Sequence, residues 1–428
     1  MEKYFSKSNM IAGELELPGD KSISHRALMF SSMAKGTSRI ENLSDAQDVI
    51  STMQCFKEMG VPFVKKGKIL VVEGCGYKNF SKPANVLDAG NSGTTARLLT
   101  GLLACQDFDS VLAGDESLSK RPMKRVADPL NAMGLNVKIS DNSLPLTIGK
   151  SNSLHSIKYR LDTPSAQVKS AVLIAALHCK ERSEIIDPFD TRDHTERMLN
   201  LVCEQSSEGK IIYASSSDYP KPQDYFIPSD ISSAVFFIVF TLLSKDSSLT
   251  IKSVSLNPTR TKILDILINM GADIKFLNET STNNEPYGDI QVKSSRLHNI
   301  AINKKDIPQI IDEIPILAIA GLFAEGCFEI RNAGELRYKE SDRIKSICTN
   351  LNKLGVRVQE YSDGFRIMNK SINNEHSFES FGDHRIAMAF AILCRLLNNG
   401  GKVNDFECVN ISNPNFESQL MSIASVKK

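Results

Sequence analysis

PGDKSISHRALMFSSMAKG, Pro18 to Gly36, is the stretch on which the reading of the whole chain turns. A Pro-Gly turn leads to Asp20, a residue suited to cap a helix, and then to a run that is apolar over most of its circumference. The plan returns five times: AGNSGTTARLLTGLLA from Ala89, TPSAQVKSAVLIAALH from Thr163, PSDISSAVFFIVFTLLSKD from Pro228, IDEIPILAIAGLFAEG from Ile311 and FGDHRIAMAFAILCRLL from Phe381. The starts lie about 65–85 residues apart, too far for a solenoid, so each copy is a supersecondary unit in its own right.

A strand-like stretch follows each helix: TSRIENL, DSVLAG, SEIIDP, SLTIKSV, CFEIRNA and KVNDFECV. Four units then show a second helix that ends in Met-Gly or Leu-Gly before another strand, at Gly60, Gly134, Gly271 and Gly355. Glycine there suits a left-handed helix C-cap, where a Cβ would clash. The third unit has TRDHTERMLNLV in this place, and the sixth only a short C-terminal remnant. Each unit reads as βαβαββ, and the fold class is α/β: two domains of three repeats, residues 16–227 in one, 1–15 and 228–428 in the other. The polar stretches NETSTNNEPYGD (Asn278–Asp289) and NKSINNEHSF read as loops or hairpin tips at the unit periphery, and more readily as solvated connectors than as functional segments.

At 428 residues the chain exceeds one ordinary core, which agrees with two domains. A net charge of +1 leaves no basic field for nucleic acid or a membrane surface, so any working positive charge is local. The nine cysteines include no CxxC pair, which argues against a disulfide framework or a zinc site and for reduced thiols in a cytosol. MEKYFSKSNM has neither an apolar signal core nor a transit pattern, and the apolar run Ala234–Leu243 is about half a bilayer span.

The repeated helices begin with residues suited to N-caps: Asp20, Asn91, Ser165, Asp230 or Ser229, Asp312 and Asp383. If related helices are buried around a pseudo-threefold axis, their N-termini share a direction. Each end carries about half a positive charge and unpaired N–H groups, a ready site for phosphates and carboxylates. Cations recur at or near those starts: Lys21, Arg26, Arg97, Lys169 and Arg385. Second-helix starts add Arg121, Arg192, Lys339 and Arg343. Any one of them alone reads as a surface charge; their recurrence in corresponding places reads as an anion site.

PGDKSISHRA, GNSGTTARL, GDESLSKRPM, SAQVKSAVL, RDHTERML, IDEIPILA, LRYKESDR and GDHRIAMA, in this order, resemble the 5-enolpyruvylshikimate-3-phosphate synthases of the enolpyruvyl transferase family. The resemblance covers all six units. It implies an inside-out α/β barrel in each of two domains, hinged by two strands and closing over substrate, in a cytoplasmic monomer. It implies small-molecule substrates, shikimate 3-phosphate and phosphoenolpyruvate, no nucleic acid or membrane partner, and no cofactor or metal. The reaction would be the transfer of enolpyruvate on the route to chorismate and the aromatic amino acids, in a family targeted by glyphosate.

By the same resemblance, Lys21 touches the phosphoenolpyruvate phosphate, and Ser22 and Arg26 grip the shikimate carboxylate. Gly93 lets backbone approach phosphoenolpyruvate, and Arg121 clamps its phosphate. Ser165 and Ala166 line the shikimate 3-phosphate site, Gln167 spans both ligands, and Thr191 or Arg192 completes the phosphate pocket. Arg343 and Arg385 clamp the phosphoenolpyruvate carboxylate, and Lys339 meets the shikimate hydroxyls beside Asp312. Asp312 is the candidate base for the attacking hydroxyl, with Glu340 and Lys21 for proton transfer at C3 and the phosphate. Arginine suits the clamps because its planar fork pairs two oxygens at once. Two departures stand out: the C-terminal lysine of some members is missing from the neighbourhood of Ile411 and Asn413, and Glu335 stands where some members have asparagine.

His194 and His384 read better as structural donors than as catalysts, as Asp383 does as a cap; Cys105 and Cys394 read as core thiols. The related transferases acting on UDP-N-acetylglucosamine carry a cysteine on the loop matching Gly114–Pro122 and Lys-Asn near the start; here the loop is GDESLSKRP and the start Lys21-Ser22. The RNA-terminal phosphate cyclases, which share the repeat style, fit the balanced charge poorly. A silent anion-binding protein on the same fold would have little use for Asp312 and Glu340, since carboxylates weaken anion binding unless they transfer protons.

Overall fold

The structure, a computed structural model, describes residues 2–8, 10–151, 153–369, 372–373 and 376–425. The chain forms two compact units, one of Met1–Pro18, Pro228–Thr280 and Pro286–Lys428, the other of Gly19–Ile227 with Ser281–Glu285. It opens with β1 (Lys3–Phe5) and β2 (Met10–Leu15), which belong to the first of these.

The unit of Gly19–Ile227 repeats one plan three times. Its elements are α1 (Lys21–Met33), β3 (Lys35–Glu41), α2 (Gln47–Glu58), β4 (Phe63–Lys66) and β5 (Ile69–Cys75). Next come β6 (Leu87–Asp88), α3 (Gly93–Leu103), β7 (Ser110–Ala113), α4 (Lys124–Ala132), β8 (Asn136–Ser140) and β9 (Ser143–Gly149). The third set is β10 (Lys158–Arg160), α5 (Ala166–Ala176), β11 (Ser183–Asp187), α6 (His194–Met198), β12 (Cys203–Ser206) and β13 (Gly209–Ala214), with β14 (Tyr225–Phe226) last. The sheets run β14-β3-β5-β4, β6-β7-β9-β8 and β10-β11-β13-β12. In each the first pair is parallel and the others antiparallel. Strand, helix and parallel strand make the usual crossover in the second and third repeats. In the first repeat the leading strand is β14, from the far end of the unit's own segment, so the three-repeat set is closed.

The helices α1, α3 and α5 are buried nearly all round, with α3 packed on both α1 and α5. Gly101 makes the closest part of that packing possible: a Cβ on it would lie 2.3 Å from the Ala171 carbonyl oxygen.

The other unit continues with α7 (Ile231–Leu243), β15 (Ser248–Ser255), α8 (Lys262–Asn269), β16 (Asp273–Thr282) and β17 (Glu285–Lys293). Then follow α9 (Ile307–Ile310), α10 (Ile314–Phe323), β18 (Phe328–Ile330), α11 (Arg343–Lys353), β19 (Arg357–Tyr361) and β20 (Gly364–Asn369). The chain ends with β21 (Ser377–Glu379), α12 (His384–Leu396), β22 (Gly401–Asn404), α13 (Phe416–Ile423) and β23 (Ala424–Ser425). Its sheets are β16-β17-β15-β2-β23, β18-β20-β19 and β1-β22-β21. The leading parallel strand is β2 for the first repeat, shrinks to a single bridge between His298 and Glu325 in the second, and is β21 in the third. The apolar helices α7, α10 and α12 pack against one another at the centre.

Gly60, Gly134, Gly271 and Gly355 all have positive φ, as their place after the second helices predicts. Three details correct the sequence reading. Ser92, not Asn91, caps α3, accepting from Thr95 N at 3.1 Å. Glu313, not Asp312, is the N-cap residue of α10, and its carboxylate does not bond the helix. The stretch KVNDFECV is strand only to Asn404; Asp405 turns left-handed and Phe406, which packs on Phe5, begins a 3-10 turn. Of the loop and the hairpin tip that the sequence allowed, Asn278–Asp289 is the tip rather than a bare connector: two strands joined at Asn283 and Asn284, both at positive φ. Around that turn, Asn283 Nδ2 donates to Gln223 Oε1 and the Asp224 carbonyl, both at 3.2 Å. NKSINNEHSF lies partly outside the described residues.

Gly101→Ala forces α3 and α5 apart, and should destabilise the protein by about 1–3 kcal/mol, the range for overpacked cores. A melting temperature equal to wild type would show that this helix contact has slack.

Candidate active site

In the unit of Gly19–Ile227 the polar residues collect at helix N-termini. Asp20 caps α1 by accepting from Ile23 N at 2.9 Å, and Ser165 caps α5. Lys21 Nζ lies 2.8 Å from Asp48 Oδ2 on α2. Gly93 opens α3, and a Cβ on it would stand 2.8 Å from Arg97 Nη1 and 3.4 Å from Arg121 Nη1. Two guanidiniums therefore flank the first residue of one helix. Arg97 donates to Gln167 Oε1 (2.5 Å), and Gln167 Nε2 donates to Thr94 Oγ1 (2.9 Å), tying the starts of α3 and α5 together. Asn91, displaced from its expected capping role, accepts from Arg121 Nη2 at 3.0 Å and donates to Asp115 Oδ2 at 2.7 Å. The structure thus brings Gly93, Arg121 and Gln167 together with Arg97.

Arg26 is buried and committed: Nε donates to Thr195 Oγ1 (2.8 Å), Nη1 to the Ser22 carbonyl (2.9 Å) and Nη2 to Ser170 Oγ (2.7 Å). Burial pushes its pKa down to about 10, against the pull of Glu196, Glu285 and Asp20. Lys169, read with the anion-facing cations, is fully buried instead. Its Nζ meets Asp187 Oδ2 at 2.8 Å, Glu196 Oε1 at 2.7 Å and the Thr191 carbonyl at 3.1 Å. Burial alone would lower its pKa, but Glu196 and Asp187 outweigh that and raise it. Asp187 Oδ2 also accepts from Thr191 N and Oγ1, so Lys169 anchors the turn that carries Thr191 and Arg192. A lysine at this helical position reads the same in sequence whether it faces ligand or core; only the carboxylates above it decide.

His25 is buried with Nδ1 2.7 Å from Thr52 Oγ1, and burial, then Lys21 and Arg26, hold its pKa well down. His194 Nδ1 pairs with the buried Glu285 at 2.8 Å. Both fill structural places, as do the buried thiols of Cys105 and Cys394.

In the other unit Arg343 is the centre. Nε donates to Asp383 Oδ2 (2.8 Å), Nη2 to Glu340 Oε2 (2.6 Å) and Nη1 to Asp312 Oδ1 (3.3 Å). Burial works against its charge, yet Asp383, Glu340 and Asp312 together push its pKa up. Lys339 Nζ shares Asp312 Oδ1 at 3.3 Å. Arg385 Nη1 donates to the Asp312 carbonyl at 3.0 Å and lies 3.7 Å from Glu313 Oε1. Asp383 is a cap, accepting from Arg385 N at 2.9 Å, and also the strongest holder of Arg343. Thus Asp312, Lys339, Glu340, Arg343 and Arg385 form one cluster. Asn413 is buried and donates to Gln419 Oε1 at 2.8 Å; Glu335 is exposed in the 3-10 turn Gly334–Tyr338.

Sequence reading missed Ser232, Arg260 and Glu313 as members of these clusters, and gave Asp48, a candidate for the rim of a cleft, no role. A signal for Arg260 existed: in NPTRTK it precedes the second helix of its repeat, as Arg121 and Arg192 precede theirs, while Arg343 opens its own. Among the described residues no group of His, Cys, Asp and Glu is gathered to hold a metal ion, and no helix is long and apolar enough to cross a membrane.

The sequence pattern of the family described as EPSP synthase (3-phosphoshikimate 1-carboxyvinyltransferase) matches residues 5–420. The chain is 46% identical over 422 residues to a 3-phosphoshikimate 1-carboxyvinyltransferase of Petrotoga mobilis, covering 97% of this chain and 98% of that one. Its structure resembles an EPSP synthase from Acinetobacter baumannii with a TM-score of 0.87 and 36% identity, over 99% and 98% of the two chains. The enolpyruvyl transferase NikO from Streptomyces tendae, at 14% identity, 100% and 98% coverage and TM-score 0.75, shares the fold. With the repeat plan and both polar clusters in place, the chain belongs to the EPSP synthase (3-phosphoshikimate 1-carboxyvinyltransferase) family.

Proposed function

We infer that the chain transfers the enolpyruvyl group of phosphoenolpyruvate to the 5-hydroxyl of shikimate 3-phosphate, releasing inorganic phosphate. The observation that carries the mechanism is the Arg343 cluster. Two carboxylates able to move protons, Asp312 and Glu340, are held by one buried guanidinium at 3.3 and 2.6 Å.

In this reading the hydroxyl oxygen attacks C2 of phosphoenolpyruvate and its proton passes to Asp312. C3 takes a proton from Glu340 or Lys21, giving a tetrahedral adduct. The C2–O bond to phosphate then breaks, a proton leaves C3, and the enol ether is restored on the new oxygen. Lys21 and Arg121 hold the departing phosphate, and Arg343 and Arg385 hold the carboxylate. Ser22, Arg26, Ser165, Ala166, Gln167, Arg192 and Lys339 position shikimate 3-phosphate. For Arg26 the bonds already made leave an indirect part, fixing the Ser22 backbone and Ser170. Charge-assisted contacts contribute about 1.5–3 kcal/mol each, so several are needed for two polyanions that repel each other. The setting we propose is a monomer in the cytosol, where the nine cysteines, all free thiols here, stay reduced.

Phosphate release with both substrates tests the reading. Asp312→Asn should lower kcat by about 10²–10⁴-fold, the usual contribution of one placed proton transfer; undiminished turnover would remove Asp312 from the mechanism. Gly93→Ala puts a methyl against Arg97 and Arg121, so the KM for phosphoenolpyruvate should rise about tenfold, equivalent to ~1.4 kcal/mol. A change confined to the KM for shikimate 3-phosphate would refute the placement of Gly93.

A further inference from the structure

Glu313 is the N-cap residue of α10, yet its carboxylate bonds no N–H of that helix. It turns to a chain of polar groups that ends at Arg385. Arg260, buried before α8, donates Nη2 to Ser232 Oγ at the start of α7. Ser232 donates its hydroxyl to Glu313 Oε1 at 2.5 Å. That same oxygen lies 3.8 Å from Arg260 Nη2 and 3.7 Å from Arg385 Nη1, the first turn of α12. Glu313 is 1% exposed, and its Oε2 has no hydrogen-bond partner among the described residues, so the orientation of the carboxylate is set at Oε1 alone.

The chain joins the N-termini of α7, α10 and α12, the three central helices of their unit. Those ends, Arg260 and Arg385 set partial and full positive charge around the Glu313 carboxylate, with the Asp230 carboxylate 3.9 Å from Arg260 Nη2. Arg385 is then held through Nη1 by two oxygens, the Asp312 carbonyl and Glu313 Oε1. Nη2 and Nε carry no bond to the described residues in this arrangement, and a planar fork held at one nitrogen presents its other edge in a fixed direction.

We propose that Glu313, set by Ser232 and Arg260, is a positioning residue that aims the guanidinium of Arg385 at the carboxylate of phosphoenolpyruvate. The inference rests on the function proposed above, in which Arg385 is a carboxylate clamp. Glu313 takes no proton and touches no reacting atom; it acts through Arg385.

The test is steady-state kinetics of the full chain carrying Glu313→Gln, with each substrate varied in turn and melting temperature recorded. Glutamine keeps the shape and removes the charge. The KM for phosphoenolpyruvate should rise about tenfold, the effect of losing one charge-assisted contact, while that for shikimate 3-phosphate stays within about twofold. A residue that only supported the fold would raise both together. Ser232→Ala, a smaller change, should shift the phosphoenolpyruvate KM the same way by about threefold, and it decides the matter should Glu313→Gln not fold. An unchanged phosphoenolpyruvate KM in the folded variants, or an equal rise for both substrates, overturns the proposal. Wild-type protein that releases no phosphate from the two substrates would instead overturn the functional reading on which it stands.

Discussion

Each unit depends on burying helix N-termini. Helices such as α7 and α10 are apolar on every side, so they go to the centre and the sheets surround them. A buried helix start still has N–H groups without partners inside the helix. Asp20, Ser92, Ser165, Asp230 and Asp383 answer part of that demand as caps. What remains is partial positive charge at the end of a dry core, where anions are favoured and charged side chains can be kept ionised.

The side chains at these ends are seldom left as bare cations. Arg343 meets three carboxylates, Lys169 two, and Lys21 meets Asp48. Pairing is what makes a buried charge tolerable, since removing one partner leaves the other desolvated and uncompensated, at a cost of about 3–5 kcal/mol. It also holds long side chains in one geometry. In the function proposed above, a substrate carboxylate would compete with protein carboxylates for the Arg343 guanidinium, and this would favour ligands that bring a planar pair of oxygens. Arg385, bonded through one nitrogen, is the better placed of the two to accept such a pair.

Much of this was legible in the residues. The six-fold recurrence, the buried helices and the left-handed glycines after the second helices follow from periodicity and from steric rules that act within a few residues. Most caps were legible for the same reason. Asn91 and Asp312 failed as caps because a neighbour, Ser92 or Glu313, took the N-cap position. Local pattern cannot separate adjacent residues of similar capping power; the entry angle of the helix does.

The roles of the charges were less legible. Lys169 and Arg97 both lie within five residues of the starts of central helices, but one is sealed between Asp187 and Glu196 and the other reaches Gln167. Ser232, Arg260, Glu313 and Arg385 stand far apart along the chain and meet at one oxygen. The repeat architecture, most of the helix caps and the family were determined by the sequence alone, because these are properties of short windows and of their recurrence. Which carboxylate holds which cation was decided only by the tertiary structure. An ion pair depends on the distance between side-chain tips brought together from separate repeats, and spacing along the chain carries no information about that distance.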